Sequence, residues 1–376
     1  MYYNNFKSII PLAAHNKKSI LFISDKPDWA YHNIARTWAE FLAVKYDCYI
    51  AFAEDYLINS KKFSAKEKII SNGLNYFRTV DKKMMIDASL RFSFPVHKTP
   101  PVFEITTMKK SDKKDFDIMI EMAYYFQYIA QFPFTAEKKF VGIYTDSFPH
   151  EGPSFDTINQ REIKQLNRDE FYECYLKSYN GIIVGSSNLF NHYHPYTDKL
   201  VLANGIFGQD EFKPNTEVGE KEGLTIGWTG NPKRSMKGFN EVIVPAIEAV
   251  QKTGRKIRLK TKFSGPYKDL FSFYENVDLI CIASEADTGP SLFAEASLSN
   301  IPSISTKIGF PKMVIKNGEN GIFINRDIEE LTSAIIDLYD NRQKLKYLSQ
   351  NIRKDYLAVL DNKILVENLK NFLEKV

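Results

Sequence analysis

Cysteine is scarce: Cys48, Cys174 and Cys281 are the only three in 376 residues, and no two form a C-x-x-C pair. That excludes a disulfide framework and a cysteine-based zinc site, and it suits a reducing cytoplasm. Excess charge of one sign is also missing, because 50 Lys and Arg stand against 46 Asp and Glu for a net of +4. So mild a balance disfavours nucleic acid as a partner. Long hydrophobic runs are absent too. The most apolar interior stretch, residues 118–134, contains Glu121, Gln127 and Gln131, and is too short and too polar to span a bilayer. The apolar run at residues 8–14 is interrupted by Pro11 and preceded by one charged residue, Lys7, so no signal peptide is read there. Internal repeats and low-complexity tracts are lacking. The expectation is a soluble, cytoplasmic protein whose membrane contact, if any, is peripheral.

What is present is ample material for a core, with 44% hydrophobic residues, 28 Phe and 21 Tyr. The length exceeds what one core usually serves, so two domains are expected. Short β-branched and aromatic runs alternate with longer segments of helical spacing, the pattern of an α/β protein built from βα units around parallel sheets. The runs at 19–24, 48–52, 116–122, 140–145, 181–185 and 200–203 read as strands of the first half, with a helix over 31–44 and a capping box at Ser64. In the second half, strands are expected at 224–228, 257–262, 278–283, 303–306 and 322–325. Helices are expected from Gly238, around 267–274, from Ser291 and over 328–339. The polar stretch 208–222 lacks periodicity and reads as an interdomain linker. Ile364, Leu365, Leu369 and Phe372 recur at helical spacing, so the tail is expected to dock on a body.

Open parallel sheets bind ligands beyond the carboxyl ends of their strands, which directs attention to the loop S-E-A-D-T-G-P-S-L-F-A-E-A at 284–296. Strand, acidic loop with glycine, then helix: the amides at such a helix start, around Thr288, Gly289, Ser291 and Leu292, can face an anion such as a diphosphate. Asp287 and Glu295 lie eight apart and could reach one ligand; equally, Asp287 could cap the helix and Glu295 could be a solvated face residue. The loop G-N-P-K-R-S-M-K-G-F at 230–239 offers Arg234 and Lys237, which could stabilise a leaving phosphate or form a solvated basic turn. His150, His192 and His194 have no acidic partner at metal-ligand spacing, and no metal site is expected.

Residues 278–325, DLICIASEADTGPSLFAEASLSNIPSISTKIGFPKMVIKNGENGIFIN, resemble the donor-site signature of the retaining nucleotide-sugar glycosyltransferases of family 4, which have the GT-B fold. Two further stretches agree in order, VLANGIFGQDEFKP at 201–214 with the interdomain linker and GNPKRSMKGF with the basic phosphate loop. Asp287 stands where the family usually has Glu, and Thr288-Gly289-Pro290 where it has Gly-Phe-Gly. The resemblance implies two Rossmann-like domains facing a cleft, with an acceptor domain over 1–206, a donor domain over 207–358 and a helix over 359–376 returning to the first. It implies that Glu295 holds the ribose, Asp287 meets the transferred sugar, and Lys237 and Arg234 meet the diphosphate. The donor would be a UDP- or GDP-sugar, the acceptor a hydroxyl of a glycan, lipid-linked or protein-linked substrate, with retention at the anomeric carbon and no cofactor or metal. On the acceptor side, Thr145 stands where relatives place a donor-facing histidine, Asp146 could act on the acceptor hydroxyl or cap a turn, and Asp28 lies in the first loop.

Residues 61–114 hold eleven Lys and two Arg against five Asp or Glu, a local net of +8. Such a face suits anionic lipid or a phosphorylated acceptor, or is simply solvated. Two rival functions share the fold: a nucleotide-sugar epimerase, for which no acid and base near C2 of a sugar can be assigned, and a catalytically silent partner of a transferase.

Overall fold

The computed structural model describes residues 10–13, 17–25, 27, 29–56, 114–144, 168–263 and 267–376. These fall into two compact units: one takes the described residues up to Gly185, Leu189–Phe207 and Leu365–Val376, and the other takes Ser186–Asn188 and Gly208–Ile364. The expected capping box at Ser64 lies outside the described residues, as does the basic segment apart from Lys114. Among the described residues, no helix is long and apolar enough to cross a membrane.

The first unit is built on seven strands, β1 (Ile10–Ala13), β2 (Lys18–Ser24), β3 (Tyr46–Phe52), β4 (Asp115–Glu121), β5 (Thr135–Ile143), β6 (Gly181–Val184) and β7 (Leu200–Leu202), in the order β1-β3-β2-β4-β5-β6-β7. β2 and β3 are buried almost throughout, which is why they read as continuous apolar runs rather than alternating ones. The helix Ala30–Leu42 turns Ile34, Ala35, Trp38, Ala39 and Leu42 into the core, and the Trp38 indole N–H donates to the Asn204 carbonyl at 2.9 Å. One expectation needs correction: the run at 8–14 contributes β1, which pairs antiparallel with β3, Ile10 opposite Ile50. The sheet is therefore not wholly parallel. Pro11 lacks an N–H and is accommodated because β1 is an edge strand.

The second unit carries a five-stranded parallel sheet: β8 (Leu224–Thr229), β9 (Ile257–Lys262), β10 (Leu279–Ile282), β11 (Ser303–Ser305) and β12 (Ile322–Phe323), ordered β12-β11-β10-β8-β9. Asp278, buried just before β10, accepts from the Gly219 amide at 3.0 Å and the Thr225 amide at 2.8 Å. Asn215 donates to the Val277 carbonyl at 3.0 Å and Phe212 is buried edge-on to Phe271, so residues 208–222 are pinned to this unit. The long helix Arg342–Leu360 buries Leu345, Leu348, Ile352, Tyr356 and Leu360. In the last helix, Asn362–Lys375, the residues Val366, Leu369, Phe372 and Leu373 join the core of the first unit. There the Phe372 ring lies so close to Gly181 that a Cβ at that position would come within 2.6 Å of it.

Candidate functional site

Because the second sheet is parallel, the loops that follow β8, β10, β11 and β12 all leave from one edge. Backbone and side chain bonds lock these loops together. Gly238 sits in the left-handed region at φ +67°, and a Cβ there would lie 2.4 Å from the Ala283 carbonyl oxygen at the end of β10. Only glycine permits that approach. The Glu285 amide donates to the Met236 carbonyl at 2.9 Å. Arg326, just beyond β12, donates to the carbonyls of Ala283 and Ser235 at 3.0 Å each and lies 3.4 Å from the Glu285 carboxylate. On this scaffold Lys237 and Asp287, fifty residues apart, form an ion pair that is 22% and 15% exposed, buried enough to be held and open enough to be reached. Arg326 escapes sequence reasoning because its importance depends on which loops converge, although its position just after Asn320-Gly321 and β12 is a usable signal.

Asp287 does not cap the helix Ser291–Leu298. Its carboxylate serves Lys237 and the Gly289 amide, the latter at 3.3 Å, while the N-cap position is held by Pro290, which gives no side-chain bond. The first intrahelical bond runs from the Phe293 amide to the Pro290 carbonyl, so the amides of Ser291 and Leu292 precede it and point out of the helix start. Ser291 is exposed, while Thr288 and Leu292 are buried. Behind this turn, Gly309 at φ +28° brings the chain after β11 against the Asp287 and Thr288 carbonyls, which a Cβ would meet at 2.2 and 2.1 Å. Gly289 abuts the Phe310 ring, and the Thr306 hydroxyl donates to the Ser284 carbonyl at 2.8 Å. The loop is therefore preformed.

Glu295 is not a solvated face residue; it is 2% exposed. The Tyr274 hydroxyl donates to it at 2.7 Å and the Tyr267 hydroxyl also bonds it. Burial pushes its carboxyl up to about 7, against the lowering effect of the two phenols. Both phenols are held well above their ordinary range by burial and by the neighbouring carboxylate, so they act as donors. The two tyrosines went unnoticed in the sequence because their partner lies more than twenty residues further along the chain.

Arg234 is exposed, and its guanidinium lies 3.3 Å from the Met236 sulfur. Asp28, Thr145 and Asp146 lie outside the described residues, as does His150. Among the described residues no three His, Cys, Asp or Glu are grouped to hold a metal ion.

Residues 246–355 match the family model described as "Glycosyl transferases group 1". No curated protein matches the chain. Among solved structures, sucrose-phosphate synthase from Thermosynechococcus elongatus is similar at a TM-score of 0.62 and 11% identity over 96% of this chain and 99% of that one. HepE from Anabaena, in complex with UDP-glucose, gives 0.55 and 10% over 95% and 100%. A TarM variant from S. aureus, in complex with fondaparinux, alpha-GlcNAc-glycerol and UDP, gives 0.51 and 14% over 68% of this chain, and the match spans only about half, 55%, of TarM. These likenesses establish the fold: two α/β units on parallel sheets, as in GT-B glycosyltransferases.

Proposed function

We propose that the protein is a glycosyltransferase that moves a sugar from a nucleoside diphosphate sugar to a hydroxyl acceptor, on a glycan, a lipid-linked or a protein-linked substrate, with retention at the anomeric carbon. The observation that carries this reading is the Lys237–Asp287 pair held beside the start of the helix Ser291–Leu298 by converging loops. A diphosphate needs fixed positive charge as its bond to the sugar breaks, and a lysine together with helix-start amides supplies it without a metal. In this reading Lys237, assisted by Arg234, takes the diphosphate, the amides around Thr288, Gly289, Ser291 and Leu292 complete its cradle, and Asp287 turns to the hydroxyls of the transferred sugar. Glu295 takes the ribose, which requires one of its oxygens to exchange a phenol for a ribose hydroxyl. The departing phosphate accepts the acceptor proton on the same face of the sugar. UDP is the nucleotide in the HepE and TarM structures, so UDP-glucose is the first donor to try, with GDP-sugars beside it.

The test measures nucleotide affinity and transfer in three variants, with and without EDTA. Lys237→Ala is expected to lower kcat by about 10² to 10³, the effect of removing one donor to a developing charge. Asp287→Asn should depress turnover and leave UDP affinity nearly intact, and Glu295→Gln should weaken UDP binding about tenfold or more. Activity is expected to survive EDTA. Silent Glu295→Gln together with lost UDP binding in Asp287→Asn would reverse the two assignments, and loss of activity in EDTA restored by Mn²⁺ would replace the lysine chemistry with metal chemistry. The +8 of residues 61–114 extends the reading to an acceptor at an anionic membrane surface. Sedimentation with anionic vesicles should occur at low salt and fade as screening rises; equal binding to neutral vesicles would remove that extension.

A further inference from the structure

We propose that the first unit holds a second ligand site, a cavity beside β4 and β5 that binds a neutral sugar ring through Glu121. The cavity measures about 400 Å³, within the range of small-molecule pockets and roomy enough for one or two rings. Its apolar side is made by Met119, Phe132 and Phe134, and its polar side by Glu121, Gln127 and Tyr179. The Phe132 and Phe134 rings are stacked, 16° between planes and 6.4 Å between centroids, and Phe132, the less buried of the two, offers an apolar surface to the C–H face of a pyranose.

Glu121 supplies the reason to expect a ligand. It ends β4 at 5% exposure. The Tyr179 hydroxyl bonds its carboxyl, but Oε2 is buried with no partner among the described residues. Leaving a buried polar atom unpaired is costly, and native proteins seldom do so without a use for it. Asp117, on the same face of the same strand, provides the contrast: its carboxylate accepts from both the amide and the hydroxyl of Ser19 at 2.7 Å, so its role is spent inside the fold. Burial pushes the Glu121 carboxyl up to about 7, which lets it either accept from or donate to a hydroxyl near neutral pH.

The lining also selects against charge. Lys139, opposite Met119 in the sheet register, lines the same cavity, so a cation meets the lysine and an anion meets the carboxylate. A neutral molecule with several hydroxyls and an apolar face meets the carboxyl and the Phe132 ring together, and the Gln127 amide, whose nitrogen donates to the Tyr124 carbonyl at 3.1 Å, keeps its oxygen to accept from a hydroxyl. This inference stands on the first unit alone and does not depend on the donor reading.

Saturation-transfer NMR on the full chain tests it with glucose, N-acetylglucosamine and maltose as neutral probes and with glucosamine and gluconate as charged ones. Neutral sugars are expected to bind and to remain bound in excess UDP and in Asp287→Asn. Glu121→Leu is expected to weaken them about tenfold while thermal stability holds or rises, since it removes an unpartnered oxygen. Should that variant fail to fold, Gln127→Ala, at an exposed position, is expected to weaken the same sugars. No sugar binding, unchanged binding in the variants, displacement by UDP, or preference for a charged probe would each overturn the proposal. Failure of UDP to bind would count against the donor reading alone.

Discussion

At neutral pH the buried carboxyl of Glu295 sits between two states, and this has a thermodynamic consequence. Unfolded, a glutamate titrates near 4.5, whereas burial holds Glu295 at about 7 in the fold. Between those values the folded chain binds more protons than the unfolded one, so stability from this group falls as pH rises from about 4.5 to 7 and stays reduced above. The change from pH 5 to pH 8 is on the order of 2–3 kcal/mol. Glutamine does not titrate, so Glu295→Gln should lose less stability than the native chain over that interval by about this amount. Urea titrations of both proteins at pH 5 and pH 8 measure it, and an identical pH dependence would mean that the carboxylate is solvated after all. At this scale the sequence showed the acidic pair and the basic loop, since Asp287, Glu295 and Lys237 sit in recognisable strand-loop-helix contexts. It did not show the phenols on Glu295 or the Arg326 bonds to Ala283 and Ser235, because those partners are chosen by tertiary convergence rather than by spacing along the chain.

Among the elements, two glycines at positive φ, one in a loop of the site and one in the turn before β9, differ in what surrounds them. Gly309 has positive φ and also touches backbone, with the Asp287 and Thr288 carbonyl oxygens 2.2 and 2.1 Å from where a Cβ would be. Gly254 has φ +84° with nothing within 4 Å of its would-be Cβ. Gly254→Ala should therefore cost only the left-handed backbone, about 1–2 kcal/mol, and leave UDP affinity alone. Gly309→Ala must push the chain after β11 off the 287–288 turn, so it should cost more than Gly254→Ala and weaken UDP binding as well. Chemical denaturation and calorimetric titration of the two variants separate the cases; equal effects on UDP affinity would show that the 287–288 turn is not part of the site. The strand-helix alternation was legible because covered parallel strands are continuous apolar runs. β1 was not, since a four-residue edge strand containing proline carries almost no pattern of its own. The helix Arg342–Leu360 was also missed; its buried residues recur at 345, 348, 352 and 356, but the charged residues between them lower the contrast on which periodicity relies.

For the molecule as a whole, the last helix and the first described strands belong to one unit: Leu365–Val376 is grouped with the described residues up to Gly185. Leu369 is fully buried and belongs to the same core as Ile20, Phe22 and Phe140, while the Phe140 and Phe372 rings meet edge to face at 5.7 Å. Lys45 and Glu374 add an ion pair at 2.6 Å, both partly exposed, and an exposed pair of that kind contributes little. The hydrophobic contacts must therefore supply most of the hold on this helix. Leu369→Ala leaves a cavity in a filled core and should cost about 2–5 kcal/mol. The loss should fall on the first unit, even though the substitution lies seven residues from the end of the chain. The residues assigned to the donor, from Arg234 to Glu295, all lie in the second unit, so UDP affinity at low temperature should be unchanged while the urea midpoint of the first unit drops. Hydrogen exchange read separately for peptides of β2 and of β10 assigns the loss: protection should fall in β2 and persist in β10. Equal loss in both, or a parallel loss of UDP affinity, would mean that the two units fold as one and that the terminal helix supports the donor site as well as the core it completes.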